Sequence, residues 1–268
     1  MPAVNYNLRP RHLLLDRCIV NASKQLDFQA CHRMNRWVVV CLLAMSCIAI
    51  AQTHNPTPFR SVYAAQDISL DTNPDSEFWR GALPTYAEVD SLGRAAPLYR
   101  TEVKSRWTKK NLYLLYICPY EELNLKPSPN TAAETNKLWN WDVAELFIGS
   151  DFENIRRYRE FEVSPQGEWL DLDIDLDLPD HTVGWTWNSG FRVAARIDAR
   201  SKRWYAAMQI PFTSIAKQPP VSGDNFRANL FRSQGPPGRQ KQIAWRAPLT
   251  ETFHTPERFG LLELVEGK

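Results

Sequence analysis

Apolar and polar positions alternate in short runs along most of this chain, and turn residues punctuate the runs. Val103–Trp107 and Leu112–Cys118 flank Thr108-Lys109-Lys110-Asn111, which predicts a hairpin. Asp142–Ile148 reads as a strand ended by Gly149. Phe161-Glu162-Val163 leads into Ser164-Pro165-Gln166-Gly167, where Pro at the second position and Gly at the fourth suit a type I turn. Glu168–Asp177 is the partner strand. Phe191–Ile197 and Arg203–Ile210 flank a polar turn, and Asn225–Arg232, Gln242–Trp245 and Phe259–Val265 complete the set. No run of twelve or more residues carries a clean helical period; Ile210–Ile215 starts at most one short turn. Strand and turn signals at this spacing predict an all-β, antiparallel β-sandwich.

Two of these strands carry unusual polar groups. In Trp169–Asp177 a Leu/Ile face alternates with Asp171, Asp173, Asp175 and Asp177. The pattern predicts that the apolar face packs on the core and the aspartates project from the other side. Those aspartates read as a solvated outer face, or, with Asp171, Asp173 and Asp175 as ligands, as a structural calcium site, since hard cations take clustered oxygens. No cofactor is otherwise required. Asp142–Ile148 is apolar on both faces apart from its carboxylates, which predicts an inner strand. A carboxylate buried there needs a partner: an arginine of the same domain or ligand hydroxyls.

The amino-terminal fifth reads differently. A basic stretch, His32–Arg36, precedes the uncharged apolar run Trp37–Ile50 and the small-residue site Ala49-Ile50-Ala51. This is the three-part form of a secretory signal peptide. The run falls short of the roughly 20 apolar residues of a membrane span. The expected organisation is an extension over residues 1–33 upstream of the true start at Met34, a signal peptide over 34–51, a linker over 52–65 and one domain over 66–268, secreted or periplasmic and off the membrane after cleavage.

The leader also distorts the charge. Residues 1–51 hold six Lys/Arg against two Asp/Glu, whereas the whole chain is +2, so the remainder is −2. A mildly acidic remainder argues against nucleic acid as a partner. Four of the five cysteines lie in the leader; Cys118 alone remains, so neither an internal disulfide nor a Cys-ligated zinc site can form. Cys118 follows an apolar run and reads as a small buried hydrophobe. A mean hydropathy of −0.42 excludes a polytopic membrane protein.

The ten Trp, nine Tyr and twelve Phe both supply a core and suit sugar binding. Pyranose C–H faces stack on aromatic rings, while hydroxyls need directional polar partners. Trp139 and Trp141 stand beside Asn140 and Asp142 at a strand entrance and are candidates for such a site, alongside the reading of two core tryptophans. His254 is adjacent to Phe253 and is a further candidate. For a glycosidase, which needs two carboxylates about 5–10 Å apart, Asp142, Glu145, Glu160 and Glu162 are the candidates. Neither G-x-S-x-G nor H-E-x-x-H occurs. Met208, a conceivable haem ligand, sits in an apolar strand and reads as core.

The segment Trp139-Asn140-Trp141-Asp142-Val143-Ala144-Glu145-Leu146-Phe147-Ile148 resembles the W-x-x-D-x-x-E-φ-F-φ signature of family 9 carbohydrate-binding modules. Asp71 with Trp79, Asn111-Leu112-Tyr113, Ile210-Pro211-Phe212, Ala244-Trp245 and Pro256-Glu257-Arg258-Phe259-Gly260 resemble further landmarks in the family's order. The likeness runs from about Asp67 to Val265 and points to the stand-alone, DOMON-like sandwich group with a jelly-roll-like fold. It implies two aromatic side chains that sandwich a terminal sugar, with a Glu and an Arg binding its hydroxyls. The aromatics match Trp139 and Phe253, and the Glu matches Glu145. Glu162 stands where the relatives place the arginine, a reversal of charge, and Arg239 matches another family arginine. Trp139 and Glu145 are six residues apart, roughly 20 Å in a straight strand, so the resemblance also implies a bend near Asn140–Trp141. The expected function is non-catalytic carbohydrate binding, with an oligo- or polysaccharide as partner. A glycoside hydrolase or accessory subunit of carbohydrate catabolism is the alternative, and an extracytoplasmic protein-interaction module is the third reading.

Overall fold

A computed structural model of the chain describes residues 57–267. The expected extension and signal peptide lie outside the described residues. Thirteen strands occur among the described residues, with a few short helical turns. They are β1 (Phe59–Tyr63), β2 (Pro84–Ala87), β3 (Val89–Asp90), β4 (Thr101–Trp107), β5 (Asn111–Pro119), β6 (Val143–Gly149), β7 (Arg157–Val163), β8 (Trp169–Asp175), β9 (Arg192–Asp198), β10 (Arg203–Pro211), β11 (Asn225–Gln234), β12 (Lys241–Ala244) and β13 (Gly260–Val265).

The hydrogen-bonded order is β8-β7-β6-β11-β13-β1-β4-β5-β10-β9. This long path folds over on itself. Leu146 and Ile148 of β6, Phe161 of β7 and Leu230 of β11 share one core with Leu114 and Tyr116 of β5 and Met208 of β10. The two halves therefore pack face to face as a β-sandwich. Tyr116 ties them together: its hydroxyl donates to the Glu145 backbone carbonyl at 2.7 Å. Cys118 and Met208 lie wholly inside this core, and burial pushes the Cys118 thiol up to about 12.

The predicted local features have clear counterparts. The β4–β5 hairpin closes through the Thr108 N–H donating to the Asn111 carbonyl at 2.9 Å. The Gly167 N–H donates to the Ser164 carbonyl at 3.1 Å, closing the predicted turn, and Gly167 sits at φ +86°, where its missing side chain is needed. A single helical turn spans Phe212–Ile215.

Two features differ from expectation. The span expected to be a linker, 52–65, contains β1, with Phe59 and Ser61 fully buried. β1 joins the halves by parallel pairing to both β13 and β4. Five residues are too few to display a period, and a parallel partner leaves no hairpin signal. The second difference is in β8. Leu170, Leu172 and Ile174 do not face the central core; they pack in a second cluster on the outer face of the β8-β7-β6-β11 half. The aspartates of β8 share the inner face, at the sandwich edge. Alternation separates the two faces of a strand but does not say which one the core takes.

Candidate functional site

The site is built on the outer face of β6, β7, β8 and β11. Strand alternation brings Glu145 and Phe147 of β6 to this face, with Glu160 and Glu162 of β7 beside them. β8 adds Leu172 and Ile174, and β11 adds Phe231 and Ser233. Loops roof this face. The turn Leu138–Asn140, closed by the Trp141 N–H donating to the Leu138 carbonyl at 3.0 Å, folds the chain between Trp139 and β6. That is the bend required to bring Trp139 over Glu145.

A cavity of about 480 Å³ opens between this floor and the loops. Trp139, Trp185, Phe147 and Phe253 form its aromatic walls, and Glu145 and Glu160 face it from below. Trp139 and Trp185 meet edge to face, with centroids 5.9 Å apart. Trp185 comes from the turn His181–Thr186, which packs on β8 because Gly184 has no side chain: a Cβ there would collide with the Asp173 carbonyl. Gln240 lies at the rim, and its Nε2 donates to the Trp139 carbonyl at 3.0 Å.

The floor is strongly acidic. Glu145 and Glu162 are direct cross-strand partners. One carboxylate oxygen from each of Glu145, Glu160 and Glu162 lies within 4.8 Å of the other two. All three residues are buried, at 2%, 3% and 0% exposure. Ser233 Oγ donates to Glu145 Oε1 at 3.3 Å. His254 Nε2 stands 4.0 Å from Glu160 Oε2, while His254 Nδ1 is 2.6 Å from the Tyr158 hydroxyl. Burial, and then the neighbouring carboxylates, hold Glu145 and Glu162 well above the usual carboxylate range. Burial also raises Glu160, and His254 eases that shift.

The structure brings together Trp139, Glu145, Phe253 and His254 in one cavity. Phe253 is 7% exposed and stacks on Phe231 at 4.1 Å and 10°, so one of its faces is occupied by the protein itself. Glu162 sits below the cavity lining, against Glu145 and Glu160. Trp141 packs against the outer cluster and does not line the cavity. Arg239 is exposed on its loop, and its neighbour Gln240 lines the cavity instead. Asp142 is structural: fully buried, its Oδ1 accepts the Gly235 N–H at 2.6 Å and fastens the Gly235–Gly238 loop.

The β8 aspartates do not converge on one point. Asp171 accepts the Ser189 N–H at 2.6 Å. Asp173 pairs with Arg159, Asp175 with Arg157 at 2.8 Å, and Asp177 with Arg156 at 2.5 Å. Arginines therefore balance Asp173, Asp175 and Asp177, while Asp171 is fully buried and held by a backbone N–H. Composition alone hid this, because the arginines reach the aspartates only through the β7–β8 register. Trp185 is the principal wall residue that sequence reasoning missed; it lies in a loop with no strand pattern to flag it.

A sequence profile described as "Carbohydrate family 9 binding domain-like" matches residues 71–267. The chain belongs to this family. An extracellular protein of Arthroderma benhamiae is 24% identical to this family 9-like domain over 182 residues, covering 63% of the chain and 80% of the relative. A carbohydrate-binding module of family 9 from Caldicellulosiruptor kristjanssonii, solved in complex with cellotriose, superimposes with a TM-score of 0.54 at 14% identity. The match covers 78% of this chain and 95% of that one. A protein of Bacteroides uniformis superimposes at 0.59, again at 14% identity, over 78% and 99% of the two chains. These structural likenesses match the all-β sandwich of the family 9-like domain.

Proposed function

We propose that this chain binds a sugar or the end of a glycan without transforming it, and that it does so outside the cytoplasm. The observation that carries the reading is the convergence of Trp139 and Glu145 from one stretch of chain, and of Phe253 from another more than a hundred residues on, on one cavity of about 480 Å³. That size falls within the roughly 300–1,000 Å³ range of small-molecule sites. Trp139 and Trp185 offer apolar rings to pyranose C–H faces, Glu145 accepts hydroxyl hydrogen bonds, and Gln240 and Gln242 add polar contacts at the rim. The family and the glycan-bound relative from Caldicellulosiruptor support the ligand class. The relative described as extracellular supports export.

Non-catalytic binding is favoured over glycoside hydrolysis by the arrangement of the carboxylates. Two catalytic carboxyls must flank the bond being broken. Glu145, Glu160 and Glu162 instead lie side by side on one sheet face. Calorimetry against cello-, xylo- and manno-oligosaccharides, with Trp139→Ala as control, tests the reading. We expect micromolar to millimolar binding by wild type, weakened at least about tenfold in the variant. Equal binding by both proteins, or release of shorter sugars, overturns it.

A further inference from the structure

We propose that Glu145, Glu160 and Glu162 together hold one divalent cation of the calcium class at the floor of the cavity. Three carboxylates are brought within 4.8 Å of one another, so an ion between them stands no more than about 2.8 Å from all three, and small side-chain shifts bring that to the 2.3–2.6 Å of calcium–oxygen bonds. Glu162 supplies the second observation. It is fully buried, and no donor other than the neighbouring Glu160 carboxyl reaches either of its oxygens among the described residues. No donor outside the cluster reaches Glu160 Oε2 either. Buried carboxylates left without donors are costly, and proteins normally meet that cost with an arginine, a backbone N–H or an ion. No Lys or Arg lines the cavity among the described residues. Among the described residues His254 is the one basic side chain that lines the cavity, with Nε2 4.0 Å from Glu160 Oε2.

The donors are all hard oxygens, which selects calcium over softer metals. Calcium takes six to eight oxygens, so three carboxylates leave positions open toward the cavity. On the carbohydrate reading, on which this second step rests, vicinal sugar hydroxyls fill those positions while Trp139 and Trp185 stack on the ring. An ammonium group supplies one charge against three carboxylates; a divalent ion supplies two and enters with only water attached.

The test titrates the chelator-treated full chain with calcium chloride, by calorimetry and by thermal unfolding. We expect one ion per chain and a rise in Tm of about 5–10 °C at a hundredfold excess over Kd. Glu162→Gln removes that rise. Its metal-free form melts above metal-free wild type, because a buried like charge is gone, and its melting transition also shows that it folds. Asp173→Asn, in the arginine-paired row, keeps the wild-type response. No calcium-dependent rise in wild type, or an unchanged rise in Glu162→Gln, overturns the proposal. Stabilisation by glucosamine but not by calcium overturns it in favour of an ammonium ligand. Sugar binding measured with calcium and with chelator separates the two readings: calcium binding without any sugar binding upholds the ion site and defeats the carbohydrate reading.

Discussion

Glu145 and Glu162 are paired directly across β6 and β7, two buried carboxylates in register on the sheet face that floors the cavity. A Glu–Arg pair here would be self-compensating. A Glu–Glu pair is not, and Glu160 adds a third carboxyl within 4.8 Å. The cavity thus has an apolar aromatic wall over an uncompensated acidic floor, and a ligand must satisfy both.

The wall sets affinity. Trp185→Ala removes the edge-to-face partner of Trp139, so oligosaccharide affinity should fall about tenfold, as for Trp139→Ala. Both rings are only partly buried, so unfolding by urea should shift little. Calorimetry and a urea curve on each variant check the two halves of this expectation.

Gly184 should behave as a positioning residue. Its approach to the Asp173 carbonyl leaves no room for a methyl group. Gly184→Ala should push the Trp185 turn off β8 and weaken sugar binding, although residue 184 does not itself line the cavity. Fluorescence of a Trp185→Phe control, compared with Gly184→Ala, should show the change to arise at Trp185.

Phe253 should matter more for stability than for affinity. It stacks on Phe231 at 4.1 Å and is 7% exposed. Phe253→Ala should cost about 3–5 kcal/mol of unfolding free energy. Denaturant unfolding measures this directly; a loss of affinity with no loss of stability would assign Phe253 to the ligand alone.

Asp142 should give the fold a pH dependence. Burial raises its pKa from 3.8 to about 6, against the lowering effect of the Gly235 and Asn124 backbone hydrogen bonds. A raised carboxyl binds more protons folded than unfolded. Its contribution is therefore fully present below about pH 4 and is lost as pH rises through about 6, up to about 3 kcal/mol. Asp142→Asn keeps an oxygen for the Gly235 N–H and should flatten the stability profile between pH 4 and 7. Thermal melts across that range test this; an unchanged profile would refute it.

Much of the fold was legible because hairpins and turns are local. Two apolar runs around Thr108–Asn111 suffice for the β4–β5 pair, and Ser164-Pro165-Gln166-Gly167 specifies its turn through proline geometry and the freedom of glycine. β1 was not legible, since five residues paired in parallel to distant strands carry no adjacent partner. Part of the cavity lining was legible as well. Trp139, Glu145, Phe253 and His254 were read from residue chemistry and from the family's order of motifs.

What the sequence determined by itself was most of the strands, the turns and the aromatic and acidic residue types that line the cavity, because each depends on neighbours a few positions away. The tertiary structure alone decided which face of β8 meets the core, that Arg157 and Arg159 of β7 pair with Asp175 and Asp173, that Trp185 rather than Trp141 completes the wall, and that three glutamates share one buried floor. Those outcomes depend on strand register and on how a long sheet folds over itself. Pairings between residues tens of positions apart leave no periodic trace in the chain.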